Sequence, residues 1–142
     1  MVKNLIVNSV HKDINKFLFH RLISGLKKEF GFEIGSLLIN FVSSEDLLNI
    51  NKKFLRHNYL TDIITFDYSK NKHLMDSELY ISWQDAAGNA KKYGVSLEQE
   101  LLRLVIHGVL HLLGYDDKST EKRVVMKRME NRLVNKYIFL TR

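Results

Sequence analysis

The sequence predicts one α/β (α+β) domain over residues 1–142: a small mixed sheet of about four strands packed with about five helices, of which a central buried helix carries a histidine pair. The first observation is length, since 142 residues match the roughly 150 of one ordinary domain. The second is that strand-like and helix-like segments alternate, as in folds that pack helices onto a sheet. The third is that the chain has no proline, no repeat and no Gly/Ser-rich linker to mark a domain boundary.

The first part of the chain predicts a strand followed by a helix. The segment from Leu5 to Val10 is short and β-like. Asp13 is the candidate N-cap of an amphipathic helix that runs through Lys28. Gly31 would end this helix, because glycine readily adopts the left-handed conformation that follows a helix.

A second strand and helix follow directly. The run from Ile34 to Val42, IGSLLINFV, predicts a strand. Ser43, with Asp46 three residues later, forms a capping signal. We therefore predict a helix from Ser44 to about Leu55.

The middle of the chain predicts a hairpin and a short helix. Two β-rich runs, Thr61 to Tyr68 and Glu78 to Ser82, are joined by a polar loop, which is typical of paired antiparallel strands. A helix around Trp83 to Tyr93 would then end at Gly94.

Two helices complete the predicted fold. Ser96 with Gln99 is a capping box that opens a helix from Leu97 to Leu113. From Leu104 onward this helix is apolar on nearly all sides, so we expect it to be buried. The last helix would run from about Ser119 to Tyr137.

Composition excludes several kinds of chemistry. The chain has no cysteine, so disulfides, thiolate zinc sites, iron–sulfur clusters and cysteine nucleophiles are impossible, and any transition metal must sit on nitrogen or oxygen ligands. No run approaches the roughly 18 apolar residues of a membrane span. The start, MVKNLIVNSVHKD, has too short an apolar stretch for a signal peptide, so we expect a cytoplasmic protein without a membrane partner.

The positive charge is concentrated at the end of the chain. The net charge is +6, and the segment from Lys118 to Arg142 accounts for all of it, with eight basic residues against two acidic ones. A polyanion such as nucleic acid is a natural partner for such a segment. A solvated helix face that keeps the protein in solution is the other interpretation.

His107 and His111 are the candidate functional residues. Because they are four positions apart on a helix, they project from one face and can bind one ion together. Gly108 weakens the helix by about 1 kcal/mol relative to alanine, so the backbone of a strand or a substrate should approach closely there. A turn at Gly114 can fold Asp117 back as a third ligand, which leaves a position for water as in catalytic sites. Two separately hydrogen-bonded core histidines are the alternative.

These residues carry a family resemblance. HGVLHLLGYDD resembles the HGxLHLxGYDH motif of the YbeY-type metallo-endoribonucleases, a family of rRNA maturation factors. TDIITF, from Thr61 to Phe66, is similar to the family's TDVLSF, and SELYIS, from Ser77 to Ser82, to its GDIxIS. The resemblance covers roughly Ser44 to Val134. It implies a zinc-dependent, single-strand-directed endoribonuclease of the cytoplasm. Its partners would be ribosomal RNA and the small subunit, in 16S 3′ end maturation and ribosome quality control.

Three departures from the family pattern change the implied site. The family's third metal-binding histidine falls on Asp117, so one zinc ion is expected but another divalent transition metal is also possible. The family's arginine falls on Leu55, with Arg56 next to it, and Glu78 stands where the family has aspartate. The metal ligands would be His107, His111 and Asp117, and the catalytic residues His107, Arg56 and Asp116. Arg56 or a cation of the last helix would oppose phosphate charge, and Asp116 or Glu78 would orient water, although Asp116 is also suited to cap the turn.

Two rival functions fit part of the pattern. HxxxHxxGxxD also matches the ligand frame of HExxHxxGxxH/D metallopeptidases, but Gly108 stands where their general base, a glutamate, would have to be. The other rival is a non-catalytic, RNA-binding ribosome-assembly factor with a structural or vestigial metal site.

Overall fold

The structure is a computed structural model that describes residues 1–55 and 61–142. Over these residues the elements are β1 (Leu5–Ser9), α1 (Lys16–Phe30), β2 (Glu33–Val42), α2 (Ser44–Ile50), β3 (Ile63–Asp67), β4 (Leu74–Ser82), α3 (Trp83–Tyr93), α4 (Leu97–Leu112) and α5 (Thr120–Tyr137). A π-helical turn, Asn51–Leu55, follows α2, and a 3-10 helical turn, Ile138–Thr141, follows α5. The described part of the chain therefore contains the four strands and five helices that the sequence predicts.

The strands form one mixed sheet in the order β1-β2-β4-β3. β1 pairs with β2 and β2 with β4 in parallel, whereas β3 is antiparallel to β4, which confirms the predicted hairpin. Leu79 of β4 is fully buried, and Ile63 of β3 packs beside it against α4. The hairpin therefore lies directly against the helix that carries the histidine pair.

The core joins α1, α4 and the strands in one hydrophobic cluster. Gly108 lies at a tightly packed point of this cluster, because a Cβ atom there would be 2.9 Å from Ile63 Cδ1 and 3.0 Å from Leu79 Cδ2. The expected close approach at Gly108 is confirmed, but side chains of β3 and β4 make it and not the backbone of a strand. No helix in the described part of the chain is long and apolar enough to cross a membrane.

Several predicted boundaries need correction. α1 is capped by Asn15, whose side chain accepts the Phe17 N–H at 3.1 Å, and not by Asp13, because Ile14 is buried in a turn that precedes the helix. The α-helix predicted from Ser44 to Leu55 ends at Ile50, and a π-helical turn continues it. β4 begins at Leu74, four residues before the predicted start, because this segment pairs with the beginning of β2.

Candidate metal centre

α4 presents the histidine pair from a firmly anchored helix. Its capping box is formed, since Ser96 Oγ accepts the Gln99 N–H at 3.1 Å and Gln99 Oε1 accepts the Ser96 N–H at 3.0 Å. The apolar sides of α4 are buried, whereas His107 and His111 are half-buried. Their Nε2 atoms lie 3.1 Å apart. The predicted meeting of the two imidazoles is therefore present in the fold.

Glu130 of α5 completes this arrangement, and the sequence reasoning missed it. Its side chain is almost fully buried, at 2% exposed, and its Oε1 lies 2.6 Å from His107 Nδ1. The signal that could have identified it is the buried stripe of α5, in which this acid is the exception among Met126, Leu133 and Tyr137. A buried acid on such a stripe requires partners, and His107 is one of them.

Two cations share the Glu130 carboxylate with His107. Lys127 Nζ lies 2.9 Å and Arg103 Nη1 3.4 Å from Glu130 Oε2. Burial pushes the pKa of Glu130 up, but the hydrogen bonds with His107 and Lys127 outweigh it and lower the pKa to about 2. Glu130 is therefore ionised at neutral pH and acts as a hydrogen-bond acceptor.

The ionised carboxylate fixes the tautomer of His107. Because Glu130 can only accept, a ring proton of His107 is on Nδ1, and its Nε2 faces His111. Burial, and then the neighbouring His107, lower the pKa of His111, which favours the neutral form of this ring. Two imidazole nitrogens directed to one point are, in their neutral form, the donor chemistry of a nitrogen-ligated transition metal. The residues present thus fit such an ion.

The chain turns after α4 at Gly114, as the sequence predicts. Gly114 has φ +104, its N–H donates to His111 O at 3.0 Å, and the Tyr115 N–H donates to Leu110 O at 3.0 Å. These two bonds are a Schellman motif, which reverses the chain at the end of a helix. Asp116 then accepts the Lys118 N–H at 3.0 Å, and that bond chiefly lowers the pKa of its carboxyl. The structure places Asp116 as a capping residue of this loop.

Asp117 lies in the same cleft as His107. This cleft, called here the His107 cleft, has a volume of about 360 Å³ and is lined by Arg103, His107, Asp117, Arg123, Met126, Lys127 and Glu130. The charge of Asp117 acts on His111, where it opposes the lowering of the pKa. Asp117 is itself exposed, and residues 1–55 and 61–142 contain no group of three His, Asp or Glu side chains close enough to hold a metal ion. Asp117 as the third ligand stays a prediction.

The other predicted residues lie apart from the pair. Arg56 falls outside the described residues. Glu78 is directed to the sheet face opposite α4, because the adjacent Leu79 packs against Gly108, and Glu78 accepts a hydrogen bond from the Tyr80 hydroxyl at 3.1 Å. The site that the structure assembles therefore draws on α4, α5 and the loop between them.

The fold and the site define a class of protein: a small α/β domain in which a buried helix carries a histidine pair and the next helix supports it with a buried carboxylate. The family model described as Endoribonuclease YbeY matches residues 4–138. The chain belongs to this family.

Individual relatives agree with the family model over most of the chain. The Endoribonuclease YbeY of Chlorobium limicola is 36% identical over 132 residues, which are 93% of this chain and 91% of that protein. The Endoribonuclease YbeY of Bacteroides thetaiotaomicron is 38% identical over 120 residues, which are 84% and 87% of the two chains. The solution structure of TM1509 from Thermotoga maritima is similar with a TM-score of 0.67 and 25% identity, over 94% of this chain and 88% of that one.

Proposed function

We propose that this chain is a metal-dependent endoribonuclease that cuts single-stranded RNA, as a single domain over residues 1–142. Family membership and the names of the relatives support the reaction class. The observation that carries the proposal is the contact chain from Glu130 through His107 to His111, with distances of 2.6 Å and 3.1 Å. Carboxylate-supported histidines are the usual ligands of metals that assist hydrolysis.

We propose one zinc ion as the cofactor. His107 and His111 would hold it, with Asp117 as the third ligand, and another divalent transition metal would suit the same two nitrogens and one carboxylate. When bound, such an ion supplies Lewis acidity to a phosphoryl oxygen and lowers the pKa of a coordinated water. Glu130 would keep His107 in the tautomer and orientation that ligation requires.

Cations beside the histidines would hold the RNA strand. Arg123 and Lys127 line the His107 cleft, and a phosphodiester there would be attracted by both. Arg103 also lines it, but its guanidinium is already bound to the buried Glu100 by two hydrogen bonds of 2.9 Å and 2.6 Å. Arg56 would oppose the charge that develops on the phosphate, and Asp116 would orient water from its place in the loop.

The cellular role that we propose is maturation of the 3′ end of small-subunit (16S) ribosomal RNA and ribosome quality control, in the cytoplasm and on the small ribosomal subunit. The motif resemblance supports it, as does the +6 net charge, which resides in the segment from Lys118 to Arg142. The metallopeptidase alternative is disfavoured. The position of its general base is Gly108, where a side chain would meet Ile63 and Leu79.

The experiment is cleavage of a labelled single-stranded RNA by untagged protein, with metal content measured on the same sample. We expect close to one equivalent of a transition metal, and cutting that a chelator abolishes. His107→Ala and His111→Ala should each lose metal and activity. His73→Ala, which removes an exposed histidine of the β3–β4 loop, should keep both. Cutting that survives the chelator and both variants would identify a contaminating nuclease.

Arg56→Ala separates a catalyst from a passive RNA binder. An enzyme should lose rate at this variant and retain its metal, because the guanidinium acts on the phosphate and not on the ion. Metal-loaded wild type that binds single-stranded RNA and never cuts it would favour the assembly factor instead.

A further inference from the structure

A cationic pocket lies on the outer face of α1, remote in sequence from the site described above. Its volume is about 470 Å³, and we call it the α1 pocket; its principal lining residues are Lys3, Phe17, His20, Arg21, Lys27 and Lys28. It shares no lining residue with the His107 cleft. All four charged side chains that line it are basic, so the pocket attracts anions.

The register of α1 builds one wall of this pocket. Phe17, Arg21, Ser24 and Lys28 follow one another at spacings of four, three and four residues, so they form one stripe along the helix. The opposite face of α1 is buried in the core. Phe17 is 55% exposed, and Arg21 and Lys28 follow it on the same stripe. The stripe thus combines an aromatic face with positive charge.

Most of the cations here are not engaged by carboxylates. Lys27 Nζ lies 3.8 Å from Glu33 Oε2, a long contact to an exposed side chain. Within residues 1–55 and 61–142, no ion pair involves Lys3, Arg21 or Lys28. Arg21 has its guanidinium carbon 5.9 Å from the centre of the Phe139 ring, which leaves its N–H groups available. The charge in the pocket is therefore open to an external anion.

His20 adds a neutral N–H donor to the pocket. The residue is only 6% exposed, and its Nδ1 accepts the Val2 N–H at 3.2 Å. Burial, and then the charge of the chain's amino terminus, lower the pKa of this imidazole, so it is neutral and its proton is on Nε2. Within the described residues this nitrogen has no hydrogen-bond partner, and it keeps contact with solvent. A solvent-accessible N–H donor without a protein partner in a cationic pocket suits an oxygen acceptor from a ligand.

We propose that the α1 pocket is a second contact site for single-stranded RNA, in which a phosphate meets Arg21, Lys28 and the His20 Nε2–H while an adjacent base stacks on Phe17. Aromatic faces beside basic side chains are the means by which proteins hold unpaired strands. The proposal rests on the proposed function for the choice of RNA as the polyanion. Its consequence is that a strand contacts the protein at two separate places.

The test measures RNA binding apart from cutting. Fluorescence anisotropy with a labelled single-stranded RNA is recorded on the full chain in chelator, so that no cleavage occurs. We expect Phe17→Ala to bind about tenfold more weakly, the loss of one stacked base. Arg21→Glu with Lys28→Glu should weaken binding by more than about tenfold. The slope of log affinity against log salt concentration should also become shallower by about 1.4, because two phosphate contacts with a single strand are lost.

A matched control separates a site from a general charge effect. Lys91→Glu with Lys92→Glu on α3 changes the net charge equally at exposed positions that line neither the α1 pocket nor the His107 cleft. This variant should bind at least fivefold more tightly than the α1 double variant. Equal losses in the two double variants, or wild-type affinity in Phe17→Ala, would overturn the proposal.

Adenosine monophosphate tests whether the α1 pocket binds a free nucleotide, which offers the same phosphate and base as RNA. Titration of the nucleotide into wild type and Phe17→Ala should show no saturable binding at micromolar concentrations. A micromolar site that depends on Phe17, together with unchanged RNA affinity in that variant, would make the pocket a free-nucleotide site and refute the RNA proposal. The cleavage assay is independent, since wild type that binds RNA here and never cuts it would refute the proposed function alone.

Discussion

Replacing Glu130 by glutamine removes the negative charge on which three side chains converge. In the native protein His107 Nδ1, Lys127 Nζ and Arg103 Nη1 lie 2.6 Å, 2.9 Å and 3.4 Å from the carboxylate oxygens. The substitution preserves the shape of the side chain, so it tests charge and hydrogen bonding without opening a cavity. We expect both the stability of the fold and the affinity for metal to fall.

The magnitude follows from the partners that remain. Removing one member of a buried ion pair typically destabilises a protein by about 3–5 kcal/mol. In the Glu130→Gln variant the glutamine still offers an oxygen acceptor to His107. Arg103 retains its salt bridge with Glu100, and the Lys127 side chain is exposed enough to be solvated instead. We therefore expect a loss of about 2–3 kcal/mol, which leaves a domain with roughly 5–15 kcal/mol of stability folded. Metal affinity should fall about 10-fold to 100-fold, because His107 loses its charged support.

Two assays read out the two effects. Urea unfolding in chelator, followed by the fluorescence of the single tryptophan, Trp83, gives the free energy of unfolding. Competition with a chromophoric chelator gives the metal affinity of the folded protein. Glu121→Gln is the control, since it makes the same change at an exposed position in the first turn of α5 and should alter stability by less than about 1 kcal/mol. Wild-type metal affinity in Glu130→Gln would refute the orienting role of this carboxylate.

Three further predictions concern helix packing and the contact between α1 and α5. Gly25→Ala should destabilise the fold by about 1–2 kcal/mol in urea unfolding, because its Cβ would lie 2.6 Å from the Tyr137 ring and this overpacking exceeds the gain in helix propensity; a gain in stability would contradict the packing. Gly88→Ala should instead stabilise by about 0.5–1 kcal/mol, since its Cβ would meet nothing within 4 Å, and a loss would contradict that open space. The pKa of Glu29 is lowered by its hydrogen bond with Lys136 and then by Arg132, so its stabilising effect is full above the ordinary value of 4.5 and is lost as pH falls through the lowered pKa. Glu29→Gln should accordingly lose about 0.5–1 kcal/mol at pH 7 and match wild type at about pH 2, whereas a pH-independent difference would exclude the ion pair as the cause.

Sequence reasoning succeeds where the determinants are local. Ser96 and Gln99 lie three residues apart and satisfy each other's backbone groups, so the start of α4 is visible in the sequence. The start of β4 is not, because Leu74 joins the sheet by pairing with Glu33, 41 positions earlier in the chain. Pairing between residues so far apart in the chain produces no pattern among neighbouring residues of the sequence.

The same distinction applies to the candidate metal centre. His107 and His111 belong to one helix, and their spacing alone predicts that they meet. Glu130 reaches His107 from another helix, 23 residues later, and no spacing rule connects them. Only burial identifies it, and burial depends on how α5 packs against α4. The position of Asp117 depends likewise on a loop, whose path is set by the turn at Gly114 and by the contacts of Asp116.

The imidazole of His107 would couple the proposed metal ion to the packing of α5 against α4. One ring nitrogen of His107 is hydrogen-bonded to α5 and the other faces His111, so binding of the proposed ion to the pair and docking of α5 would favour each other thermodynamically. When the supply of the ion falls, the helix that carries the positive charge should loosen first and become the segment most open to proteases. The lifetime of this protein in a cell would then follow metal availability, apart from any effect on catalysis.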